Sequence, residues 1–172
     1  DQWGTLILFP EDAPAAIPYV TEENQVIKDV AEWQKYVKVP DLAGKCSEGW
    51  EEALEAKSRI DQEKYLTMVV MGTGIFEQLH MLMTFEDTLM NFLLEPEAMH
   101  ELIDVICEYR LTYTKLVVEH LHPDCIVSHD DWGAKDSLFM SPEVWREFFK
   151  EPYRRLYDYL HSQGVIVMHH AD

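Results

Sequence analysis

The sequence predicts an α/β protein built on parallel strands, and three observations carry that prediction. Residues 66–71, 125–128 and 165–168 are short apolar runs, the right length for buried strands and too brief for helices. Stretches with 3.6-residue periodicity separate them, giving the order β-α-α-β-α-β from Leu66 onward. Each run ends abruptly: in Gly72-Thr73-Gly74, in His129-Asp130-Asp131-Trp132-Gly133, and in His169-His170-Ala171-Asp172. Strands joined by helices pair in parallel through right-handed crossovers. Their C-terminal tips then share one face, where such folds bind ligands. This order fits an open doubly wound sheet and a closed barrel equally well.

Taken in order, residues 5–9 read as a strand, and Pro10, Pro14 and Pro18 make the following segment an irregular loop. Val26, Val30, Trp33 and Val37 have helical spacing, and Pro40 stops that helix. Residues 50–65 form a highly charged amphipathic helix with a solvated face. Strand 66–71 leads into helical material over 75–94, broken near Thr84. Pro96 opens a long helix to about residue 121, whose apolar stripe includes Leu102, Ile106 and Val117, and Pro123 ends it. After strand 125–128, Ser141 as N-cap and Pro142 at the first position start the next helix, which Gly164 closes before the last strand.

Composition narrows the function. At 172 residues the chain can bury one sizeable core. Its 32 acids against 14 bases leave a net charge of −18, which disfavours nucleic acid, anionic membranes and highly anionic substrates. Cys46, Cys107 and Cys125 are odd in number and widely spaced, so no disulfide framework is implied and a reducing cytoplasm is the simplest setting. No apolar run approaches the ~20 residues of a membrane-spanning helix, and no signal peptide is visible. The chain starts without methionine and stops on a strand tip, as expected of a segment of a longer protein.

Two consecutive strands ending in histidine and aspartate point to metal or proton-transfer chemistry. Residues i and i+2 of a strand face the same way, so His170 and Asp172 share one side while His169 faces the other. A metal site on that side would take His170 and Asp172 as its ligands. His129 ends the preceding strand on the same rim, and Asp130 or Asp131 is the expected catalytic carboxylate or orienter of a histidine. Gly72, Trp132 and His129 are expected to line a substrate pocket, although a packed indole is the more ordinary role for Trp132. His80, His100, His120 and His161 fall on helices, as packing or surface groups. Cys107 and Cys125 sit away from the strand tips, and neither is expected as a ligand.

The run Asp130-Asp131-Trp132-Gly133 followed by Met140-Ser141-Pro142-Glu143-Val144-Trp145, with Gly164-Val165-Ile166-Val167-Met168-His169-His170 after it, resembles the uroporphyrinogen decarboxylase superfamily. Asp1-Gln2-Trp3-Gly4 and Glu95-Pro96-Glu97 are weaker matches, so the resemblance spans residues 1–172. It implies a (β/α)8 TIM barrel, of which 172 residues are a partial segment against the ~250 typical of the fold. It also implies one of two chemistries. True decarboxylases clamp a polycarboxylate porphyrinogen with arginines and a tyrosine. Here all five arginines lie on predicted helices and none at a strand tip, and no tyrosine follows strand 66–71. The other branch comprises zinc methyltransferases that pass a methyl group to a corrinoid (cobalamin) protein, several with His-x-Cys where this chain has His170-Ala171-Asp172. Aspartate in place of the thiolate is a harder ligand, better suited to a small methyl ether or similar substrate, hence O-demethylation. Glu86, Glu101 and His122 reproduce a zinc-ligand spacing described for some ether-cleaving members. Glu101 and His122, however, fall 21 residues apart near opposite ends of one helix, ~31 Å at 1.5 Å per residue, so they cannot share an ion.

Overall fold

A computed structural model describes residues 1–11, 15–42 and 49–171. Cys46 and Asp172 lie outside the described residues. The elements are β1 (Ile7–Leu8), β2 (Ile17–Pro18), a 3-10 helix (Val30–Lys35), α1 (Trp50–Ser58), β3 (Met68–Met71), α2 (Ile75–Leu82), α3 (Phe85–Leu94), α4 (Pro96–Leu121), β4 (Cys125–His129), β5 (Gly133–Ala134), β6 (Ser137–Leu138), α5 (Pro142–Phe148), α6 (Lys150–Ser162) and β7 (Ile166–His170).

The three apolar runs pair as one parallel sheet in the order β3-β4-β7. Register aligns Met68 with Cys125 and Ile166, Val70 with Val127 and Met168, and His129 with His170. Opposed residues in a ladder point to the same face, so these form one side of the sheet. The other side carries Met71, Ile126, His169 and their neighbours. Among the described residues, helices cover that second side alone: Val117 and Val118 of α4 and Leu160 of α6 pack on Met71, Ile126 and Val165. A doubly wound sheet has helices on both faces, whereas a barrel has them outside only. One-sided cover, with Met68, Val70, Ile166 and Met168 exposed on the bare face, is the barrel arrangement. That answers the choice the element order left open.

A larger core lies between the helices, where Phe76, Leu79, Leu82, Phe92, Met99, Leu102, Ile106, Phe148 and Phe149 are buried together. Each such side chain stabilises by about 1.5–3 kcal/mol. Thr84 breaks the 75–94 segment as expected, its hydroxyl accepting from Asp87 N at 3.1 Å to start α3.

Three helices differ from the sequence reading. The 26–37 segment is only a 3-10 turn pair, because Asp29 caps at Val30 and Glu32 leaves helical φ/ψ. α1 stops at Ser58, where Lys57 Nζ turns away to cap the last carbonyls of α4 at Leu121 (2.7 Å) and His122 (2.9 Å). The helix after Ser141 is two helices, α5 and α6, meeting at Phe149, whose buried ring belongs to the larger core. β1 pairs only with β2 as a short antiparallel hairpin, outside the parallel sheet.

Candidate metal centre

β4 and β7 end side by side, so register alone sets His129 beside His170. Their rings stack with centroids 4.6 Å apart and planes 14° from parallel. Asp131, two residues past β4, reaches both: its Oδ1 lies 3.1 Å from His170 Nδ1 and 3.8 Å from His129 Nε2. One ligand atom from each of His129, Asp131 and His170 falls within 4.8 Å of the others. Donors ~2.1 Å from a tetrahedral metal sit ~3.4 Å from one another. Two imidazoles and a carboxylate are donor types that zinc accepts, and the stacked rings would have to rotate before both nitrogens aimed at one ion.

A second carboxylate stands behind the first imidazole. Glu77 Oε1 lies 3.0 Å from His129 Nδ1, while its Oε2 accepts the Gly74 amide at 2.8 Å at the start of α2. Such a carboxylate fixes the tautomer of a ligating histidine and raises its basicity. Partial burial alone would lower the His129 pKa, but the hydrogen bond and charge of Glu77, with Asp131 adding, hold it above the usual histidine value. The same negative field is what a cation would meet. Glu77 was not picked out from the sequence. The available signal was its place three residues after Gly74, where a helix-capping glutamate sits.

Alternation along β7 sends His169 the other way. It stacks on Trp132 at 4.3 Å, and its Nδ1 shares a hydrogen bond with the Tyr157 hydroxyl. Burial lowers the His169 pKa, favouring the neutral ring, and pushes Tyr157 up to about 12. His170 is on the bare face with His129.

The two aspartates after His129 do different work. Asp130 is fully buried beneath the rim. Its carboxylate accepts from the amides of Phe76 (3.0 Å) and Glu77 (2.9 Å), from Trp132 Nε1 (2.9 Å) and from the Tyr153 hydroxyl. It occupies the positive N-terminus of α2, with three donors on Oδ2 and one on Oδ1. Asp131 alone stands at the rim. Trp132, expected against substrate, is half-buried, with its N–H spent on Asp130 and its ring between His169, Tyr153 and Trp145. Gly74 admits this arrangement, since a Cβ there would collide with the Asp130 carboxylate. Gly72 is exposed at the β3 tip, one residue past the Met71–Ser128 pair and so on the same rim as His129, and a Cβ on it would meet nothing.

The absence of a strand-tip arginine is overturned. Arg110 lies on α4, yet its Nη1 donates to the Gly72 carbonyl at 3.3 Å and to that of Thr73, which holds a left-handed φ of 53°. Helix spacing along α4 could not show which strand end the helix passes. Glu86, Glu101 and His122 stay apart: Glu101 accepts from Gln34 at 3.0 Å near the start of α4, and His122 caps its far end.

The fold is an α/β protein whose parallel, barrel-type sheet carries a His/Asp/His cluster on its C-terminal rim. Residues 3–172 match the uroporphyrinogen decarboxylase (URO-D) family, and the chain belongs to it. No curated protein matches it closely. Among solved structures it is similar to a methyltransferase from Methanosarcina mazei, with a TM-score of 0.67 at 18% identity. That likeness covers 99% of this chain and 47% of the other, so the chain spans about half the length of that structure, and it shows the fold alone. Among the described residues no helix is long and apolar enough to cross a membrane.

Proposed function

We propose that this chain carries the zinc-binding rim of a methyltransferase that takes the methyl group of a small methyl ether or similar substrate and passes it to a corrinoid (cobalamin) on a partner protein. The observation that carries the proposal is the convergence of His129, Asp131 and His170 within 4.8 Å at the strand tips. When bound, zinc would supply a Lewis acid at the substrate's heteroatom, and the corrinoid the nucleophile for the methyl carbon.

The chain's own residues do the rest. Glu77 orients His129, and the stacked His170 ring is steadied by Asp131. The Val70, Val127 and Met168 side chains pave the face below the cluster and favour an apolar methyl group there. A carboxylate with two imidazoles is a harder donor set than one with a thiolate, which supports an oxygen-bearing substrate. Asp172 remains part of the proposal as a further ligand.

The test uses the intact protein. Metal analysis should find stoichiometric zinc, lost in His170→Ala and His129→Ala and kept in His169→Ala. Chelator dialysis should stop methyl transfer from a panel of methyl ethers to Co(I)-cobalamin. Zinc retained by His170→Ala would refute the ligand set. Metal-free turnover of a porphyrinogen would establish decarboxylation instead.

A further inference from the structure

Four of the five arginines sit in exposed ion pairs: Arg59 with Glu55, Arg146 with Glu143, Arg154 with Glu151 and Asp158, and Arg155 with Asp104 and Glu108. Arg110 is the exception. It is 8% exposed and makes no ion pair among the described residues. Two carbonyls share its Nη1, and its buried Nε has no partner. Taking a guanidinium out of water costs several kcal/mol, which carbonyl dipoles offset only in part. Asp130, the other buried charge at these strand tips, is filled by its own four donors. In a chain of net charge −18, a buried cation with no carboxylate in ion-pair contact among the described residues is a chemical anomaly.

Beside that guanidinium lies a cavity of about 240 Å³, open at the β3 tip. Gln78 of α2 lines it too; this side chain is 6% exposed, and its Nε2 likewise lacks a partner. Trp3, Tyr109 and Tyr113 supply aromatic walls, the first two meeting edge-to-face at 5.0 Å. Asp1 also borders the space, with Oδ1 accepting the amides of Trp3 (3.0 Å) and Thr5 (2.8 Å).

We propose that this cavity binds a small organic carboxylate with a flat apolar body, its carboxylate received by Arg110 and Gln78 and its body held between Trp3 and Tyr113. Arginine's fork pairs a carboxylate with two parallel hydrogen bonds, which a point charge does not. The volume is below the ~300 Å³ at which drug-sized sites begin, which limits the occupant to about a single ring. The cavity is separate from the His129–Asp131–His170 cluster, and its occupancy is independent of the proposed function.

Calorimetric titration of the intact protein with benzoate tests it. One equivalent should bind, and Arg110→Gln should weaken binding at least ~tenfold, the loss of one charge-assisted pair. Because Arg110 also holds the β3 tip, Gln78→Met serves as a second variant; it keeps side-chain length, removes the amide donor and should weaken benzoate severalfold. His170→Ala should bind benzoate like the unaltered protein. Full binding by both folded variants, or no heat from the unaltered protein at millimolar benzoate, overturns the site. Loss of binding in His170→Ala moves benzoate to the metal rim and also overturns it. Inorganic phosphate binding more tightly than benzoate would show a plain oxyanion site and overturn the carboxylate assignment.

Discussion

Asp130 and Asp131 are chemically identical neighbours with opposite fates. One residue of offset buries the first against four donors and leaves the second between two imidazoles. Removing Asp130 strands buried N–H and O–H donors, each costing about 1–3 kcal/mol. Asp130→Ala should therefore destabilise the intact protein by roughly 3 kcal/mol or more by denaturant titration, while Asp131→Asn should leave stability nearly unchanged and reduce zinc content. Gly74→Ala forces its new methyl onto Asp130 and should cost about 1–3 kcal/mol, as overpacking does. Cys107 is a fully buried thiol whose pKa burial pushes up to about 11. Alkylating reagents at pH 8 should leave it unmodified in the folded protein and label it after denaturation; rapid labelling of the native form contradicts its burial.

At the scale of elements, capping decides where helices begin. Thr84 is the junction of α2 and α3, and only its hydroxyl answers the Asp87 amide. Thr84→Ala should lower stability by about 1 kcal/mol, read as a lowered Tm, with zinc content unaffected. α2 is the element on which the site depends. Its first turn receives Asp130, presents Glu77 to His129, and turns Gln78 to the Arg110 cavity. One short helix thus connects both candidate sites through adjacent residues.

For the whole molecule, the sheet leaves β3 and β7 each with an unpaired edge among the described residues, and its inner face shows Met68, Val70, Ile166 and Met168 to solvent. Open edges beside apolar side chains promote self-association. Residues 1–172 expressed alone should form concentration-dependent oligomers in light scattering; a stable monomer at high concentration would argue that this face is not a barrel interior.

The sequence by itself determined the three strands, most helix positions, the break at Thr84 and the placing of His129 and His170 on one rim, because strand and helix periods and capping residues are local. Alternation within β7 likewise separated His170 from His169 without any coordinates. The barrel was legible only through the family resemblance; the tertiary structure alone decided the split of roles between Asp130 and Asp131, the approach of Glu77 to His129, and Arg110 at the β3 tip. Each of those depends on which side of a packed helix meets which strand end. That contact joins residues distant in the chain, 54 positions between Asp130 and Phe76 and 78 between Tyr153 and Ile75, and no local period encodes it.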